Sequence, residues 1–99
     1  MPNPITTRKA VELQNNLQAL LGHDKVQVRP YGRHLQIQMK IDDDANTVAR
    51  LTEAGSTTYT AAFRNHSGRW EPLPGHGDIA HMAELVTSLL GMFLHPGNY

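Results

Sequence analysis

Apolar and polar residues alternate along His34-Leu35-Gln36-Ile37-Gln38-Met39-Lys40-Ile41. A period of two sets Leu35, Ile37, Met39 and Ile41 on one face of a strand and Gln36, Gln38 and Lys40 on the other. Such a strand belongs inside an antiparallel sheet, one face against a core and the other near water. Val26 and Val28 open a preceding strand, which Pro30-Tyr31-Gly32-Arg33 turns into the central one. Setting Val28 opposite Leu35 and Val26 opposite Ile37 puts both strands' apolar residues on the same face. After the turn Asp42-Asp43-Asp44-Ala45-Asn46, residues 47–53 form a third strand with Ala49 and Leu51 inward and Arg50 outward. Ala54-Gly55-Ser56 leads to a fourth over 57–64, with Tyr59, Ala61 and Phe63 inward. His66-Ser67-Gly68 leads to a short fifth, Arg69-Trp70-Glu71. Pairing Arg64 with Arg69 sets Trp70 beside Phe63 on the core face. Pro72 and Pro74 donate no ladder hydrogen bond, which marks an edge strand.

The period changes at both ends of the chain. Ala10, Leu13, Leu17, Leu20 and Leu21 fall within an arc of about 100°, the stripe of a helix packed on one side. Thr6 or Thr7 is the expected cap and Gly22 the expected terminator. Asp78 caps a second helix running to about Leu94, after the loop Pro74-Gly75-His76-Gly77. Its apolar residues, from Ile79 to Leu94, span about 200°, twice a normal stripe. The pattern predicts an α+β domain in the order α-β-β-β-β-β-α, an antiparallel meander sheet with two helices packed on one face. Residues 1–6 read as a flexible lead-in, 7–94 as one domain and 95–99 as a C-terminal tail. Leu17, Leu35, Ile37, Met39, Leu51, Phe63, Trp70, Val86 and Leu89 are the expected core. Frataxins share this order of elements, but the acidic ridge on their first helix and strand has no counterpart where the first helix holds only Glu12. The likeness ends at topology.

A chain of 99 residues is long enough for one core without metal or disulfide staples. It has no cysteine, which removes thiolate metal sites and cysteine nucleophiles. Nine basic residues balance nine acidic ones, so no net charge draws in nucleic acid or an anionic membrane. No apolar run reaches membrane-spanning length, and Met1-Pro2-Asn3-Pro4 lacks the apolar core of a signal peptide. No membrane partner and a cytoplasmic location are expected.

Candidate chemistry is sparse. Ser56, Ser67 and Ser88 lack a strained nucleophile turn, the clustered acids share one turn, and no motif calls for a cofactor. Asp42-Asp43-Asp44 lacks the alternating spacing and distal glutamate of a calcium loop. The glycines before Asp78 offer free N–H groups, but Asp78 itself occupies the anion position. His66, His76 and His81 lie on neighbouring loops and are the candidate zinc or nickel ligands, although a five-residue step between His76 and His81 misses the i, i+4 alignment. By alternation the outer sheet face carries Arg29, Lys40, Arg50, Arg64 and Arg69, with Glu71 the one acid. That is a candidate anion-binding or nucleic-acid face, against which stands the assignment of the aromatics to the core. The wide apolar helix points to a homodimer or another protein partner, with Leu85, Met92 and Leu94 at the interface and Gly91 allowing close approach. The sequence thus predicts a non-enzymatic interaction or accessory domain that self-associates through the second helix.

Overall fold

The alternating stretch His34–Ile41 is the second strand, β2, of a five-stranded antiparallel sheet in the order β1-β2-β3-β4-β5. The computed structural model describes residues 4–41 and 43–94. The first three residues of the expected lead-in, Asp42 of the expected turn and the expected tail, 95–99, lie outside them. The other strands are β1 (Val26–Tyr31), β3 (Asp44–Glu53), β4 (Tyr59–Arg64) and β5 (Trp70–Gly77). Helix α1 (Pro4–Leu21) precedes the sheet and α2 (Ile79–Leu90) follows it, continued by a 3-10 turn over Gly91–Phe93. The α-β-β-β-β-β-α order read from the sequence is the order observed, with both helices over one face of the sheet.

Inward residues from every strand meet both helices in one cluster: Leu13 and Leu17, Ile37 and Leu51, Met82, Val86 and Leu94 are all fully buried there. The edges of the sheet are closed in different ways. On β1, Gln14 of α1 accepts from the Val28 N–H at 3.0 Å, and Gln18 donates to the Val26 carbonyl at 3.0 Å. Two glutamines on the helix thus satisfy backbone groups that an edge strand otherwise offers to another chain. On β5, Pro72 and Pro74 blunt the edge, as the sequence suggests.

Several local readings need correction. Helix α1 starts at Pro4, so Thr6 and Thr7 lie inside it rather than capping it, and Leu20 is exposed. Gly22, at φ 75°, ends it as expected, its N–H donating to Gln18 at 2.9 Å. Tyr31 pairs with His34, leaving a two-residue turn with Gly32 at φ 59°. Val28 therefore stands opposite Ile37, two residues from the expected register, and a shift of two keeps every side chain on its face. Strand β3 begins at Asp44, before the expected Thr47. A bulge at Val48 absorbs one residue, since Ile37 pairs with Ala49 and Gln38 with Thr47.

The β4–β5 hairpin differs more consequentially. Asn65 donates its N–H to the Arg69 carbonyl at 2.9 Å and accepts from the Gly68 N–H at 2.9 Å. Gly68 sits at φ 80°. This is a tight turn followed by a glycine bulge, which inserts one residue into the pairing. Arg64 therefore meets Trp70, not Arg69, and Glu71 meets Phe63. A shift of one reverses the faces: Trp70 leaves the core for the outer face, and Glu71 goes to the inner one. Phe63 stays inward but is only partly buried, packed against the core cluster.

Candidate functional site

The sheet face opposite the helices is built of transverse rows fixed by the strand register. Arg29 stands opposite Gln36, and Gln36 opposite Arg50, with Ala62 and then Pro72 completing that row. Arg29 and Arg50 are two strands apart, or about 9–10 Å at ordinary strand spacing. Gln27 stands opposite Gln38 and Gln38 opposite Thr47, joined by side-chain hydrogen bonds of 2.8 and 3.1 Å. Lys40 faces outward opposite Ala45. In the next row to Arg50, Tyr31, His34, Thr52, Thr60 and His76 cross the whole sheet. His34 shares a 2.9 Å hydrogen bond with Thr52.

Charge is segregated by this register. The acids near the sheet fall in inward rows or at its ends: Asp44 opposite Ile41, Glu53 opposite Tyr59 and Glu71 opposite Phe63. Glu12 is on α1, Asp78 caps α2 and Glu84 is on α2. The outward positions of the described strands hold Arg29, Lys40, Arg50 and Arg64 and no carboxylate. A chain of zero formal net charge thus presents one cationic face. Its field also acts on His34, whose pKa is held below the usual imidazole range by burial first and then by the charges of Arg50 and Arg33.

At one corner of that face Arg50 lies over the Trp70 ring, its guanidinium carbon 4.3 Å from the ring centroid. Arg64 flanks the same ring at 5.9 Å. Arg50 reaches Trp70 across β4, where the intervening outward residue is Ala62. A methyl at that position leaves room for the stack. Such contacts contribute about 0.5–2 kcal/mol and hold the guanidinium plane in one orientation. Arg50 Nε is buried without a hydrogen-bond partner among the described residues. A second aromatic, Tyr31, stands on the same face at the opposite edge and is 68% exposed.

Sequence alternation placed Arg29, Lys40, Arg50 and Arg64 on this face, and the register keeps them there. Arg69 is in the turn before β5, where Asn65 Oδ1 accepts from its N–H at 3.0 Å, and so leaves the face. Trp70 was missed. Its signal is the run Asn65-His66-Ser67-Gly68, asparagine opening a tight turn and glycine in the left-handed position that follows.

The histidine set does not converge. His66 is in the β4–β5 turn, His76 is on the outer face opposite Thr60, and His81 is in the first turn of α2, on the other side of the sheet. Among the described residues no three His, Cys, Asp or Glu side chains form a metal-holding group.

The residues expected at a helical interface are divided. Leu94 is fully buried in the chain's own core, which removes it from any interface. Its carbonyl accepts from His23 Nε2, while His23 Nδ1 accepts from the Lys25 N–H at 3.0 Å, fastening the segment after α2 to the loop that follows α1. Leu85 is partly buried and packs beside Gly75, and Gly91 is partly buried. Met92 is 62% exposed, as are Phe93 at 58% and Leu89 at 49%, the last having been expected in the core. Leu85 and Leu89 line a shallow apolar groove with Pro74, Gly75 and Ser88, with His81 and Glu84 at its edge.

No protein-family model, curated protein or solved structure matches the chain. Among the described residues no helix is long and apolar enough to cross a membrane.

Proposed function

We propose that the protein is an anion-binding module that takes its ligand on the helix-free face of the sheet. The observation that carries this is the clearing of every carboxylate from the outward positions that hold Arg29, Lys40, Arg50 and Arg64. Exposed arginines stabilise a fold little by themselves, and here no carboxylate partner shares their face, so the arrangement favours a ligand that brings the negative charge. Titration with heparin, polyglutamate and oligonucleotides at low salt tests the reading. Binding that weakens on Arg29→Glu and Lys40→Glu supports it, and absence of binding to all three polyanions ends it.

Self-association through α2 is the second reading, supported by Leu89, Met92 and Phe93 exposed at the end of that helix. Because α2 lies over the other face of the sheet, the two readings use separate surfaces.

A further inference from the structure

We infer that Arg50, Trp70 and Arg64 form a phosphodiester-binding subsite for single-stranded nucleic acid, an inference that rests on the anion-binding reading of the same face. Trp70 fixes the plane of the Arg50 guanidinium at 4.3 Å, and Arg64 stands on the same ring at 5.9 Å. Two guanidinium groups gathered on one aromatic, with no carboxylate on that face, leave their forked donors for an oxyanion. A planar fork held in one orientation suits the paired oxygens of a phosphate better than a mobile ammonium does. Arg50 Nε adds a second observation. It is the one buried side-chain donor without a partner among the described residues, and a buried donor of that kind calls for an acceptor. In this arrangement the Nε–H is covered, so a phosphate seats end-on across the two Nη groups, and engaging Nε as well requires the guanidinium to slide on the ring.

The aromatics decide between classes of polyanion. Tyr31 is exposed at the β1 edge of the face and Trp70 is partly buried at the β5 edge. Four strand spacings, about 19 Å, separate those edges. Rings at both ends of a cationic track suit a chain that alternates phosphates with unstacked bases, because each base offers a face for stacking. A duplex keeps its bases stacked inside, and an acidic peptide carries no comparable rings.

Trp70 is the only tryptophan, so its fluorescence reports directly on the subsite. Oligothymidylate, a duplex of equal length, polyglutamate and heparin are titrated into the full chain at one ionic strength. The expected result is quenching of Trp70 by oligothymidylate, with affinity at least about tenfold above that for the duplex or polyglutamate. Arg50→Lys, which keeps the charge and loses the planar fork, is expected to lower oligothymidylate affinity about tenfold while heparin binding is unchanged. Should that variant melt early, Arg64→Lys carries the same test. Oligothymidylate binding no tighter than polyglutamate or duplex overturns the inference, as does wild-type binding by a folded Arg50→Lys; heparin binding then still supports the broader reading. If none of the four binds, both fall.

Discussion

His34 is the residue at which the charge of the sheet face becomes measurable. Burial, and then Arg50 and Arg33, hold its pKa below the usual value, so the folded chain takes up its proton at lower pH than the unfolded chain does. Stability from this group is complete above about pH 6.5. It declines as the pH falls through that value toward the lowered folded pKa, because the unfolded state binds more protons there. Thermal melts of wild type and His34→Gln between pH 7 and 5 are expected to converge as acid removes this contribution. Equal pH dependence in the two would show that His34 is not coupled to its neighbours. An oxyanion on Arg50 offsets one of the charges that depress His34, so oligothymidylate is expected to raise the His34 pKa in an NMR titration. Arg50 itself was readable from the sequence as an outward residue of an alternating strand. Its partner Trp70 was not, because its face depends on a single inserted residue. Only Gly68 at φ 80° and the two bonds between Asn65, Gly68 and Arg69 decide it.

Strands tolerate misreading in steps of two and not in steps of one. The expected β1–β2 pairing was off by two residues, yet Val26 and Val28 are buried as foreseen. The expected β4–β5 pairing was off by one, and Trp70 and Glu71 exchanged faces. Hydrophobic alternation fixes which residues share a face, whereas the number of turn residues, set by hydrogen bonds within the turn, fixes the register. Where alternation is strong the core was legible: Ile37 is fully buried between both neighbours, and Ile37→Ala is expected to cost about 2–5 kcal/mol in urea unfolding. A cost below about 1 kcal/mol would mean that the site collapses around the smaller side chain. The path of β5 past Pro72 was not legible, since its irregular pairing sets Ala61 against three residues, 73–75. Gly75 serves that bulge at φ 98°, and a Cβ there would lie 2.8 Å from Leu85 Cδ1. Leu85 can move its end, but the backbone conformation remains unfavourable to any L side chain. Gly75→Ala is therefore expected to lose about 1–3 kcal/mol, while Gly55→Ala, with ordinary contacts at 3.7 Å and no positive φ, is expected to lose less.

At the scale of the whole molecule, zero net charge conceals a cationic open sheet face, with the acids of the strands kept to inward rows or strand ends. If four cationic side chains each meet a phosphate of a single strand, the logarithm of affinity should fall with the logarithm of salt with a slope of about −2 to −3. A flat salt response would mean that the cations do not touch the ligand. The helical side raises a separate question. The apolar arc of α2 is wide: Ile79, Met82, Ala83, Val86 and Leu90 are buried, Leu85 packs against them partly buried, and Leu89 and, in the 3-10 turn that follows, Met92 are exposed. Each large apolar side chain moved out of water contributes roughly 1.5–3 kcal/mol, so pairing this stripe across a two-fold axis favours a dimer. Such a dimer leaves each sheet face open, and two faces on one particle hold a long polyanion more tightly than one does. Sedimentation at micromolar concentration should therefore show a dimer that Leu89→Glu dissociates without loss of helical circular dichroism. The same variant should keep its affinity for a short oligonucleotide and lose affinity for a long one. A wild-type monomer whose behaviour Leu89→Glu leaves unchanged would confine the protein to one face and one site.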